Sequence, residues 1–171
     1  YQELLQRLQA SLGVQFARQE LLLEALTHPS FVGENELNRP PSNQRLEYLG
    51  DAVLGMIVSD HLFRRHPELS EGDLTKLKAG SVSEGALVPV AKQLGLGDYL
   101  LLGKGEDASG GRARPSILAD AFEALVGALY LEHGLEGAQR FVLSALAENL
   151  AAVEERRTVG DSKSRLQELI Q

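Results

Sequence analysis

The chain has 171 residues, 43% of them hydrophobic, and a net charge of −7 at neutral pH; this is enough apolar content for one buried core, and the size of a single domain with a short appendage. It contains no cysteine, which excludes disulfides, thiolate zinc sites and cysteine nucleophiles together. No apolar run approaches the roughly 20 residues of a membrane helix and no basic-then-apolar leader opens the sequence, so a soluble, unexported, cytoplasmic protein is expected, although the start at Tyr1 rather than Met leaves a removed leader open.

Leucines 4, 5, 8 and 12 recur at helical spacing, which predicts a first helix that stops at Gly13. A second helix is expected from Gln19 to Thr27 and ends before Pro29. Ser30 to Asn43 collects Gly33, three asparagines, Pro40 and Pro41, the chemistry of a loop, with Asn43 placed to cap the next helix. Gln44 to about Arg65 carries an apolar stripe at Leu46, Leu49, Val53 and Ile57 and reads as a long helix closed by Pro67. Ser70 and Asp73 resemble a capping box. The helix behind them runs to Leu94 with a bend near Gly85 or Pro89. Six glycines between Gly95 and Gly111 mark an irregular region. Ser116 can cap a helix from Ile117 to about Leu131, and a last core helix is expected after Gly134, from Glu136 to about Val153. Residues 154–161 look like a charged linker, and Lys163 to Gln171 begins a new helix. No segment alternates with period two for long enough to make a strand, so the fold class is all-α.

Two pairs of acids do not suit ordinary helices. Glu47 and Asp51, at i and i+4, sit about 40° apart on one face, at the margin of the apolar stripe. They are either a solvated pair or two ligands. Asp120 and Glu123, about 60° apart, are the only charged residues between Ile117 and Leu131, on a helix that is otherwise apolar, small or tyrosine. A helix apolar all round is buried, and ionised carboxylates there need a partner or a cation. Ala124 and Gly127 beside them permit a close helix neighbour. Four carboxylates from two helices can surround one or two hard cations, the arrangement that activates water for phosphoryl displacement. The four histidines form no ligand pair, so oxygen donors remain, and these suit magnesium or manganese. The acidic net charge speaks mildly against a nucleic-acid partner, but bound cations reverse the local field at such a centre.

The segment from Asn43 through Arg45-Leu46-Glu47-Tyr48-Leu49-Gly50-Asp51 to Leu54 closely resembles the signature of the ribonuclease III family. The likeness continues, in order, through Leu26-Thr27-His28-Pro29-Ser30, Glu71-Gly72-Asp73-Leu74, Gly103-Lys104-Gly105-Glu106, Ser109-Gly110-Gly111 and Ile117 to Ala124. The resemblance implies a helical endonuclease domain over residues 1–152. It also implies an enzyme that uses Mg2+, with Mn2+ able to substitute, to cut both strands of double-stranded RNA in RNA processing, leaving 5′-phosphate and 3′-hydroxyl ends with short 3′ overhangs. Its catalytic and metal-holding acids fall on Glu47, Asp51, Asp120 and Glu123. Glu71 matches an accessory acid, and its helix-start position is an equally simple explanation. Gln44 stands where relatives often carry an acid, and Tyr48 where they carry a phenylalanine.

In relatives that aromatic enters a pocket of a second subunit, which implies a homodimer whose two sites each cut one strand. Residues 153–171 are expected to be a linker and the first helix of a truncated double-stranded-RNA-binding domain, with Ser164, Gln167 and Gln171 matching RNA contacts. Lys76, Lys78, Lys104, Arg112 and Arg114 are candidates for phosphate contact or ordinary solvated charges. His28 is expected to make a structural hydrogen bond, and His61, His66 and His133 to lie at the surface. No membrane and no organic cofactor are expected. A non-cutting RNA binder and a helical scaffold are the rivals; the complete quartet favours cutting over binding, and the lack of Lys or Arg between Ile117 and Leu131 disfavours a scaffold that neutralises its acids internally.

Overall fold

The computed structural model of the chain describes residues 1–34 and 37–171, and the regular elements among them are helices. Helix α1 (Gln2–Leu12) ends at Gly13, whose left-handed φ of 67° lets its N–H reach the Gln9 carbonyl. Helix α2 (Gln19–Ala25) follows. Helix α3 (Pro29–Glu34) occupies part of the expected loop, because proline at a first helical position has no N–H to leave unpaired. Residues 35 and 36 of that loop lie outside the described residues. Among the described residues, one isolated parallel bridge joins Thr27 to Leu101.

Helix α4 (Gln44–Arg65) has the expected bounds but a different start. The Asn43 side chain does not cap it. Its Nδ2 donates instead to the Ala25 carbonyl at 3.2 Å, while its N–H donates to the Thr27 carbonyl at 2.8 Å. Asn43 is buried and satisfies the end of α2. Asn43→Ala is therefore expected to lower stability by about 1–3 kcal/mol, the range for orphaning a buried carbonyl, read as a lower urea midpoint at unchanged m.

One expected bent helix is two, α5 (Glu71–Val82) and α6 (Glu84–Gln93), separated at Ser83. Serine hydroxyls start both: Ser70 accepts from the Asp73 N–H at 3.2 Å and Ser83 from the Ala86 N–H at 3.3 Å. Pro89 lies inside α6. The glycine-rich region holds short 3-10 turns at Leu96–Tyr99 and Gly111–Ala113 around α7 (Lys104–Ala108). Helix α8 (Pro115–Ala145) opens on Pro115 with no side-chain cap, so Ser116 is already inside it, and Gly134 (φ 74°) interrupts it.

Helix α9 (Ala147–Ile170) replaces the expected linker with continuous helix. No proline interrupts this stretch, and its Glu, Arg, Lys, Leu and Gln residues are good helix formers. Leu150 and Val153 pack on the core, and Glu154 accepts from Arg65 Nε at 3.0 Å, with His66 Nε2 at 3.2 Å. His66 is thus a partly buried contact between helices and not a surface residue. The core itself is the α4–α8 contact, with Leu54, Leu62, Leu118, Phe122, Leu125 and Leu129 fully buried. No helix among the described residues is long and apolar enough to cross a membrane.

Candidate active site at the crossing of the two central helices

Glycine decides how near the central helices come. A methyl group on Gly50 would stand 1.7 Å from the Glu123 carbonyl oxygen, and one on Gly127 would stand 2.4 Å from the Leu46 carbonyl oxygen. Backbone therefore lies on backbone where α4 meets α8. Glu47 and Asp51 bracket Gly50 on one helix, and Asp120 and Glu123 arrive from the other. Helices separated by full-sized side chains would keep these short carboxyl groups apart.

The four acids meet as two pairs. Glu47 lies within hydrogen-bonding reach of Asp120, and Glu123 of Asp51. Such a contact between two carboxyl groups needs a shared proton. Burial first, then the Asp120 charge and hydrogen bond and the Asp51 charge, push the Glu47 carboxyl up to about 6. Burial again leads at Glu123, reinforced by Asp51, Glu47 and Asp120, and pushes it up to about 8. Burial and the neighbouring acids thus favour the protonated form of Glu123 up to about pH 8, and that of Glu47 only up to about 6. Asp120 is raised chiefly by burial; the bond from Glu47 and the nearby His28 lower it, and the charge of Glu84 raises it further.

Among the described residues no three acidic or imidazole groups converge on one point as a finished ligand cage. The donor set still fits a hard divalent ion, being all carboxyl oxygen with protons where a cation would supply positive charge.

The remaining residues singled out by sequence are scattered around this centre. Glu71 is the exposed first residue of α5, and Gln44 is exposed and accepts from the Ser42 hydroxyl at 3.3 Å. Tyr48 projects into solvent. Lys104 begins α7, where its backbone N–H donates to Glu34, and Lys78 lies across Gly55 of α4. The Arg112 guanidinium is engaged by Asp107 and by the Gly97 and Leu100 carbonyls, and Arg114 pairs with Glu106. Ser164 and Gln167 are exposed on the outer half of α9, and Gln171 is exposed just past its end.

His28 makes its expected structural bond: Nδ1 lies 2.7 Å from the Ser30 hydroxyl, which in turn accepts from the Gly103 N–H at 2.9 Å. Two neighbours of Asp120, His28 and Glu84, were not marked as part of the site by sequence. Glu84 follows a capping serine in a segment without any catalytic motif, so nothing in the string points to it.

Comparison with known proteins gives this arrangement a family. A profile described as Ribonuclease-III-like matches residues 18–150. Ribonuclease 3 of Pelotomaculum thermopropionicum is 54% identical over 170 residues, 99% of this chain and 70% of that protein. Ribonuclease 3 of Desulforamulus reducens is 51% identical over 165 residues, 96% of this chain and 67% of that one. The nuclease domain of ribonuclease III from Campylobacter jejuni superposes with a TM-score of 0.77 at 42% identity, covering 84% of this chain and 96% of that domain. Dicer from Giardia intestinalis superposes with a TM-score of 0.63 at 27% identity, over 85% of this chain and 19% of that one. With a matching profile over most of its length, near-complete alignment to these relatives and the same helical fold, the chain belongs to the ribonuclease III family.

Proposed function

We propose that this chain is a metal-dependent endoribonuclease that hydrolyses both strands of double-stranded RNA, leaving 5′-phosphate and 3′-hydroxyl ends with short 3′ overhangs, and that it serves RNA processing in the cytoplasm. The observation that carries this reading is the placing of two acid pairs, Glu47 with Asp120 and Asp51 with Glu123, side by side at a glycine-thinned helix crossing. Similarity to proteins named ribonuclease 3 supports the same reaction.

Asp120 and Glu123 would hold the cation, with Glu47 and Asp51 completing its surroundings. Mg2+ is the ion proposed, and Mn2+ suits the same oxygen donors. When bound, the ion would lower the pKa of an attacking water and neutralise charge on the phosphate. Glu123 must release its proton to serve as a ligand, so loading is proton-coupled. Glu71 and Gln44 are accessory polar groups, and Lys76, Lys78 and Lys104 are the exposed or part-exposed cations available for phosphate. Arg112 is assigned a supporting role through its internal bonds.

Residues 1–152 form the nuclease domain in this reading. Residues 153–171, the outer part of α9 and the last residue, would be the linker and first helix of a truncated double-stranded-RNA-binding domain, with Ser164, Gln167 and Gln171 as RNA contacts. The working unit is a two-fold dimer, one site for each strand. Tyr48 of each copy enters a recess of the other. The relative from Campylobacter jejuni, described as having a region involved in dimer formation, supports the dimer.

The deciding experiment incubates a long RNA duplex with the protein in Mg2+ and in EDTA. The expected products carry 5′-phosphates and appear only with Mg2+; a duplex bound yet left whole in Mg2+ identifies a binder instead. Mg2+ should also raise the melting temperature, because it binds the folded quartet alone. At a hundred times its dissociation constant the gain is about 2.7 kcal/mol. An unchanged melting temperature at millimolar Mg2+ argues against the metal site.

A further inference from the structure

Helix α4 presents an aromatic knob beside a hole. Tyr48 is 83% exposed, and its own ring edges a recess of about 640 Å³ whose apolar wall is Leu21, Leu46, Leu49 and Leu131. Knob and hole share one face of the molecule. A two-fold axis passing between knob and hole would bring each knob to the other copy's hole, the self-complementarity that an isologous interface requires.

The recess is not purely apolar. Glu24 of α2 forms part of its wall, and burial raises its carboxyl above the ordinary range while the Arg45 charge opposes the shift. No described residue donates a hydrogen bond to that carboxyl. Other polar groups in the recess are worse acceptors for a hydroxyl: the Gln44 side-chain oxygen already accepts from Ser42, and Arg45 has donors only. A phenol buried in such a place needs an acceptor. Phenylalanine would need none.

We infer that in the dimer each Tyr48 hydroxyl enters the opposite recess and donates a hydrogen bond to the partner's Glu24. The inference rests on the dimeric reading and adds to it the polar contact that suits this interface to tyrosine. Two such bonds form per dimer by symmetry. Removing one member of each pair leaves the other buried and unsatisfied, whereas replacing both members by apolar groups leaves nothing unpaired.

The test measures dimer dissociation by sedimentation equilibrium for the wild type, Tyr48→Phe, Glu24→Leu and the double variant. Each single substitution should weaken the dimer about a hundredfold, the product of two roughly tenfold losses. The double variant should return to within about tenfold of the wild type. Tyr48→Phe dimerising as tightly as the wild type would overturn the inference, as would a double variant whose loss equals the product of the singles. A wild type that stays monomeric at high concentration removes the dimeric reading itself, an outcome distinct from a firm dimer that ignores the two substitutions. Thermal melts of each monomer check that all four chains fold, which their placement at the rim of the core predicts.

Discussion

Glu123→Gln is expected to lower kcat by about a thousandfold or more, roughly 4 kcal/mol of barrier, while duplex RNA still binds within a few-fold of the wild type. The amide keeps the shape of the side chain and removes the charge a cation needs. The same substitution has a second readout in the metal-free protein. An exposed glutamate titrates near 4.3, whereas burial and the neighbouring acids push Glu123 up to about 8.

The folded protein therefore retains a proton that the unfolded chain has lost between these values. The stability this contributes is fully present below the unfolded value and is lost as pH rises through about 8. Glu47 adds a smaller loss that is complete above about 6. In EDTA the wild-type melting temperature should fall between pH 6 and pH 8, and in Glu123→Gln that slope should flatten, leaving the inactive variant the more heat-stable at pH 8. Normal cleavage by the variant, or a slope that survives the substitution, would sink the assignment.

The acids were legible in the sequence by two independent signals. Asp120 and Glu123 stand out as charges on an apolar helix, and Glu47 and Asp51 stand out by their motif. Their partnership was not legible, because whether Glu47 faces Asp120 or Glu123 depends on a crossing set by Gly50 and Gly127. A string records small residues but not which backbone they admit. Asn43 and Ser116 show a related ambiguity: a polar side chain at a helix start can cap its own helix or serve a neighbour, and the burial of Asn43 decides for the neighbour. The run Glu154-Glu155-Arg156-Arg157 reads as solvated linker, yet Glu154 lies against Arg65 and His66, contacts some ninety positions away in the chain. Long-range pairs of this kind carry no local pattern.

Adding one methyl group at Gly50 should damage fold and site together. The Cβ of Gly50→Ala would stand 1.7 Å from the Glu123 carbonyl oxygen, 2.6 Å from its carbon and 3.0 Å from the Gly127 nitrogen. All three are backbone atoms, so no rotamer change relieves the contact and α4 must move away from α8. Alanine would gain about 1 kcal/mol from helix propensity. Ordinary overpacking costs about 1–3 kcal/mol, and a clash of backbone with backbone belongs in the upper tail, so a net loss of about 3–5 kcal/mol is expected, read as a lower urea midpoint.

Gly55→Ala on the same helix is the control. Its new Cβ meets only the end of the Lys78 side chain at 3.4 Å, which can swing aside, so the propensity gain should survive. Where Gly50→Ala folds at low temperature, the separated helices should no longer bring Glu47 to Asp120 or Asp51 to Glu123, and the Mg2+-induced rise in melting temperature should vanish. Equal stabilities for the two variants would mean that close helix approach does not set this site, and an intact Mg2+ response in Gly50→Ala would separate the acids' function from the crossing that brings them together.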